Sequence, residues 1–358
     1  MILGQGDGVR RHGLNRAALA QFRERSCLGR PFLVLCALLG TCAPAASAAG
    51  TGARAVSATP VPIGVFPGDA ADRSTLPFER QLGRRLDYAH DYIHKANWAS
   101  ITNISWQAQR WTNAGFAGRT VLTLPMLPDR GGSMKHGARG KYNSRFRLVA
   151  RRLVAGGQGS AILRIAPEFN GTWFKWSIKG QGGSTRYKAY WREIVKSMRS
   201  VPGANFRFDW SPNSGSSYVN GGKRRLRAAT AYPGNKYVDY IGLDVYDQSW
   251  LPHSGSPTRR WREFLTQTDG LLWHARFAAA KGKPMTFPEW GLVNRRDGHG
   301  GGDNPYFVLQ MYNWIQTHPV AYHLYFESHD PSGDYRVFGG TFPKAAQSFV
   351  QYFGASAQ

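Results

Sequence analysis

From Val61 to the C-terminus, short apolar runs alternate with stretches whose apolar residues recur at helical spacing. Eight runs read as strands: Val61–Phe66, Asp87–Ile93, Thr120–Met126, Ser160–Ala166, Asn205–Trp210, Val238–Asp244, Pro284–Phe287 and Tyr322–Phe326. The clearest helix carries Tyr187, Tyr190, Trp191, Ile194 and Met198 on one face, the i, i+3, i+4, i+7 pattern. A second carries Phe146, Val149 and Leu153, and later ones run from Trp261 to Phe277 and from Tyr306 to Ile315. Eight strand–helix units in about 300 residues predict an α/β fold, a single-domain (β/α)8 barrel over residues 61–358. An open doubly wound sheet is the structural competitor. No Gly-x-Gly-x-x-Gly follows the first strand and no P-loop is present, so nucleotide binding has no support. The Gly-rich segments Arg130–Gly140 and Asp297–Asp303 read as mobile loops on the face where the strands end.

One stretch breaks the apolar pattern in an informative way. Ser160–Ala166 is apolar except for Arg164, then Pro167 interrupts it and delivers Glu168 and Asn170, followed by Trp173 and Trp176. A carboxyl just past a buried strand, beside rigid aromatic surface, suits proton transfer to a glycosidic oxygen with the sugar ring stacked on an indole. The same residues also suit a strand-capping Glu with core tryptophans. Other strand ends are equally polar or aromatic: Trp210 and Asn213 after the fifth, Asp244, Tyr246 and Asp247 after the sixth, Glu289 and Trp290 after the seventh. In a barrel these converge on one mouth. Glu168 and Glu289 would then face each other as a carboxylate pair. Roughly 5–5.5 Å apart they would form a retaining glycosidase pair, and roughly 6.5–9.5 Å apart an inverting one. Arg164 is the cation that would neutralise one of them.

The N-terminal segment reads differently. Arg23, Arg25 and Arg30 precede the apolar segment Pro31 to Gly40, and Ala46-Ser47-Ala48 offers small residues at a cleavage site. Residues 1–48 are therefore expected to be a secretory signal peptide cleaved after Ala48, its apolar run too short for a permanent transmembrane segment. A lipoprotein site at Cys42 is a minor alternative, and the leader's length allows a start codon further downstream. Residues 49–60, rich in Ala, Gly and Thr, read as a disordered linker. Cys27, Cys36 and Cys42 all fall in the leader, which removes disulfides, thiol nucleophiles and Cys-based zinc sites from the rest of the chain. The expected setting is secreted or periplasmic.

At the strand ends the sequence resembles glycoside hydrolase family 26, the retaining β-mannanases and related β-glycanases of a large (β/α)8 clan. The resemblance rests on Phe78-Glu79 with Leu82-Gly83-Arg84, Arg164…Glu168-Phe169-Asn170-Gly171-x-Trp173, Trp210-Ser211-Pro212-Asn213, Gly242-Leu243-Asp244-x-Tyr246 and Glu289-x-Gly291. It implies that Glu168 is the acid/base, that Glu289 is the nucleophile and that Tyr246 hydrogen-bonds the nucleophile. It also implies sugar-stacking walls from Trp173, Trp176, Trp210 and Trp290, with Arg164, Asn170, Asn213 and Asp244 completing the substrate-binding set. The family's mannanases carry His immediately before the acid/base, whereas this chain has Pro167, which points to an outlying member with another substrate.

Charge bears on what that substrate is. The chain carries 46 basic and 22 acidic residues; without the leader it keeps 40 and 20, a net +20. Many of the cations follow strand ends, among them Arg130, Lys175, Lys179, Lys223, Arg224, Arg225 and Arg295. A generically basic surface accounts for them equally well as a rim that draws in an acidic polysaccharide. The ten His show no metal-binding spacing, so no metal or other cofactor is expected. His299, Asp303, His329 and Asp330 read as surface residues near the cleft. The expectation is a monomeric endo-glycanase acting on a β-linked polysaccharide, with no nucleic acid partner. Its rivals are a non-catalytic polysaccharide-binding relative, against which the two Glu argue, and a basic envelope- or nucleic-acid-binding protein.

Overall fold

The computed structural model describes residues 60–68, 74–251 and 255–355. The leader with its cysteines and nearly all of the 49–60 linker lie outside the described residues. Eight parallel strands close into a barrel: β1 (Ile63–Phe66), β2 (Tyr88–Tyr92), β3 (Thr120–Leu124), β4 (Ile162–Ile165), β5 (Arg207–Trp210), β6 (Tyr240–Tyr246), β7 (Met285–Gly291) and β8 (Val320–Phe326). Each pairs with its sequence neighbours, and β8 closes on β1 through the register Ile63↔His323 to Phe66↔Phe326. The open-sheet alternative is excluded, and each of the eight expected strands is present.

Helices cover the outside because their apolar stripes match the outward residues of the strands. The helix Gly183–Arg199 buries Tyr187, Tyr190, Trp191, Ile194 and Met198, the face its spacing predicts. Its phenols also reach strand ends: Tyr187 donates to the Ala166 carbonyl (3.0 Å) and Tyr190 to the Met126 carbonyl (2.6 Å). The single helix expected from Trp261 to Phe277 is instead two, Pro257–Thr266 and Leu271–Lys281. Between them Asp269 takes a left-handed conformation (φ +55°), which a continuing helix cannot contain. The Gly-rich segment after β3 holds a helical turn, Met134–Gly137, capped by Ser133. Gly137 lies so close to the Tyr190 ring that a Cβ would sit 2.3 Å from it.

The barrel is irregular at one place that matters. On β7, Thr286 and Glu289 both point inwards, whereas Phe287 and Trp290 face the helices. Strict alternation forbids a same-face pair three residues apart. The register on both flanks slips here, between Gly242 and Asp244 of β6 and between His323 and Tyr325 of β8. The extra residue lies around Pro288, which has no N–H to give a ladder and is tolerated at such a bulge. The bulge turns Glu289 towards the mouth.

Gly242 faces this bulge from β6. A Cβ there would lie 2.5 Å from an Asp209 carboxylate oxygen and 2.9 Å from Pro288 Cδ. Gly242→Ala is therefore expected to lower unfolding stability by about 1–3 kcal/mol, as overpacking does. Thermal denaturation checks this, and an unchanged melting temperature would contradict the packing described.

Candidate active site

Arg164 stands at the centre of the mouth. It is the third residue of β4, points into the barrel and is fully buried. Its Nε donates to Ser211 Oγ (2.9 Å), its Nη1 to Thr123 Oγ1 (3.2 Å) and Glu289 Oε2 (2.5 Å), and its Nη2 to Asp244. One guanidinium thus joins the ends of β3, β5, β6 and β7 to β4. Burying the ions is costly, so the pairing has to be nearly complete to be tolerated.

Glu289 is held by three donors. Tyr246 donates to Oε1 (2.5 Å), while Tyr92, the last residue of β2, donates to Oε2 (2.5 Å) alongside Arg164. Burial, reinforced by the charge of Glu289, pushes both phenols well above their ordinary values, so they stay protonated as donors. The carboxylate is fixed in place and its charge is matched by Arg164.

Glu168 is held quite differently. Trp173 Nε1 donates to its side chain at 2.8 Å. Burial, then the negative charge of Glu289, raises it to about 7, against the opposing pull of Arg164 and the Trp173 bond. Burial also raises Asp244, but Asp244 is in direct contact with the guanidinium and Glu168 is not. Three carboxyls share one cation, and Glu168 is the one that Arg164 does not touch.

The backbone around Glu168 is strained and pinned. Ala166 and Glu168 have φ of +42° and +53°, conformations that cost non-glycine residues of order 1–3 kcal/mol. Four bonds hold the segment: Ala166 N to Leu124 O, Glu168 N to Ser211 O, Tyr187 to the Ala166 carbonyl and Trp176 Nε1 to the Pro167 carbonyl. Trp176 is thereby a buried support of the loop, stacked on Phe174.

Glu168, Glu289, Asp244, Tyr246, Asn213 and Trp173 line a cleft of about 1180 Å³. Of the four tryptophans expected as sugar walls, only Trp173 presents a face there, at 53% exposure. Trp210 packs outside the barrel on Phe169, Tyr232 and Phe277, and Trp290 on Phe349 and Phe353. Both follow inward-facing acids, Asp209 and Glu289, so strand alternation sends them to the helix side. Asn170 is also removed from direct contact. Its Nδ2 donates to the carbonyls of Asn213 and Gly215, and its Oδ1 accepts from Asn213 N, which clamps the β4 loop to the β5 loop.

Two site residues were not foreseen. Tyr92 lies two positions after the inward His90 on β2, and that alternation is a signal that could have found it. Trp250, 58% exposed at the cleft, lies four residues beyond β6 on a loop stacked against the His299 ring. Asp303 instead caps the last helix, accepting from Lys344 N and Ala345 N. Among the described residues, no three His, Cys, Asp or Glu side chains gather as metal ligands would.

Comparison with known proteins bears on residues in this mouth. The model of glycosyl hydrolase family 26 matches residues 151–286, which include Glu168 and end three residues before Glu289. Endoglucanase H of Acetivibrio thermocellus is 27% identical over 82% of this chain and 30% of its own length. Mannan endo-1,4-beta-mannosidase of Bifidobacterium adolescentis is 26% identical over 55% of this chain and 19% of its own length. The chain thus spans less than a third of these relatives. Among solved structures, the modular endo-beta-1,4-mannanase of Cellulomonas fimi superposes with a TM-score of 0.57 at 20% identity, covering 82% of this chain and 70% of that one. A family 26 beta-mannanase of Bacteroides ovatus gives 0.54 at 16% identity, covering 83% and 89%. These structural likenesses carry the (β/α)8 fold. The matched segment and the two sequence relatives show a similarity of this chain to glycosyl hydrolase family 26.

Proposed function

We propose that the protein is a retaining endo-β-glycanase using Glu289 as nucleophile and Glu168 as acid/base. The observation that carries this is the unequal holding of the two carboxyls: Glu289 has three donors including a guanidinium, and Glu168 has an indole and a raised affinity for its proton. A carboxylate anchored in this way is suited to attack the anomeric carbon. A protonated neighbour is suited to give its proton to the departing glycosidic oxygen. The covalent glycosyl-enzyme then reacts with water, which Glu168, now ionised, deprotonates as the bond to Glu289 breaks. The relatives' names, an endoglucanase and a mannan endo-1,4-beta-mannosidase, support a β-linked polymer and internal cleavage. Trp173 and Trp250 supply exposed indole surface for the sugar rings. A monomer suffices for this chemistry, since each named catalytic group comes from one chain. The sequence of residues 1–48 supports export, and no helix among the described residues is long and apolar enough to cross a membrane.

Glu168→Gln and Glu289→Gln are each expected to lower turnover by about 10²–10⁴-fold, the range typical of general acid–base catalysis. Reducing-end release from a panel of β-glycans measures this, and proton NMR of the first products should show the β-anomer before mutarotation. An α-anomer would reject the nucleophilic role of Glu289.

The pH profile gives a second test. The acid must be protonated, so kcat/KM should fall as pH rises through about 7, where Glu168 loses its proton. The Trp173 N–H stabilises the ionised form, so Trp173→Phe should move this alkaline limb to higher pH. A limb that stays put or moves down would contradict the assignment of Glu168 as the titrating acid.

A further inference from the structure

Among the described residues, one guanidinium at the cleft has no carboxylate partner. Arg225 lies on a short hairpin after β5, in which Tyr218–Val219 pairs with Arg224–Arg225. It lines the cleft together with Ser216, Ser217 and Thr268, a wall rich in hydroxyls. Its Nη1 donates to Thr268 Oγ1 and its Nη2 to the Tyr218 hydroxyl, and the guanidinium stacks 4.3 Å from the Tyr218 ring centroid. These partners fix the head group without cancelling its charge. Among the described residues, no Asp or Glu comes within ion-pair distance of it. The acid next to Thr268, Asp269, spends its Oδ2 on Ser216, Ala228 N and Asn170.

The placement is tied to the catalytic loop. Ser217 N donates to the carbonyl of Asn170, two residues after Glu168, and Leu226 N donates back to Ser217 O. Nearby cations on this side are also met by backbone carbonyls: Lys175 by Asp129 and Gly131, Lys179 by Thr172, and Arg224 by Lys179. Arg295, which also lines the cleft, is by contrast gripped by both carboxylate oxygens of Asp297. The two guanidinium groups at the cleft therefore differ in what they still lack. A planar guanidinium held in place and missing an anion is matched by a carboxylate, which it can bind through two parallel bonds.

We propose that Arg225 forms a subsite for the carboxylate of a uronate residue, so that the β-glycan taken by this cleft is acidic. The proposal rests on the reading of the cleft as a glycan-binding site and extends it to the substrate class. The surrounding hydroxyls of Ser216, Ser217 and Thr268 serve the remaining sugar oxygens. The general positive charge of the chain would add attraction that fades with salt, whereas the contact at Arg225 is local and partly shielded.

The test uses β-1,4-mannan and mixed-linkage β-glucan, each as the parent polymer and after oxidation of its C6 hydroxyls to carboxylates. Retention in affinity gels and reducing-end release are both measured, for the full chain, Arg225→Gln, Arg225→Lys and Arg151→Gln. Arg151 is an exposed cation on the helix Asn143–Ala155 and controls for non-specific charge. The expected result is stronger retention of an oxidised polymer than of its parent. That preference should fall about 10–100-fold in Arg225→Gln, as for loss of charged hydrogen bonds, persist in part in Arg225→Lys and survive in Arg151→Gln. Retention of the parent polymer should not change. Equal retention of oxidised and parent polymers, or an equal loss in Arg151→Gln, overturns the subsite. Cleavage of an oxidised polymer with no Arg225 dependence overturns the subsite and leaves the glycanase reading standing. Arg225-dependent retention without any cleavage does the reverse.

Discussion

The charge on Arg164 is what the mouth of this barrel is built around. A fully buried guanidinium is tolerated because each of its three nitrogens finds an oxygen, on Ser211, Thr123, Glu289 and Asp244. Those four partners lie on or just after four different strands, so the ion pair also fixes the strand ends relative to one another. It sets the protonation pattern too. With three carboxyls around one cation, Glu289 and Asp244 are in contact with it, and Glu168, outside that contact, is raised by burial and by the charge of Glu289 against the weaker pull of Arg164. The proposed division into an acid and a nucleophile follows which carboxyl Arg164 touches.

Each glutamate depends on a local departure from regular structure. Glu289 faces inwards because a bulge at Pro288 adds one residue to β7, and Gly242 across from it leaves room for that bulge. Glu168 is presented by a turn in which Ala166 and Glu168 take left-handed backbone, kept there by Tyr187, Trp176, Leu124 and Ser211. Such strain persists only where surrounding bonds over-determine it. Here they do, and the tryptophan once expected to touch sugar is one of the pins.

The barrel was legible because apolar runs and helical stripes recur eight times, and the expected strands overlap the observed ones throughout. The charged centre was legible in part, since Arg164, Glu168 and Glu289 stand out on apolar strands. Part of what was misjudged follows from strand alternation. Trp210 and Trp290 are adjacent to inward acids on strands and so must face outward, although their position at strand ends suggested otherwise. Asn170 looked like a substrate contact but closes a loop, because its fate depends on a backbone path that the sequence does not specify. Trp250 was missed for the same reason, as it lies on a loop positioned by contacts with His299 and Arg295.

In the proposed mechanism the charge around Arg164 leaves the proton on Glu168. Carbon-13 NMR titration of the labelled Glu168 carboxyl, in the wild type and in Glu289→Gln, addresses it directly. A midpoint of about 7 is expected in the wild type, and a lower one once the negative charge of Glu289 is removed. A wild-type midpoint in the ordinary carboxylate range, or one that Glu289→Gln leaves unchanged, would contradict it.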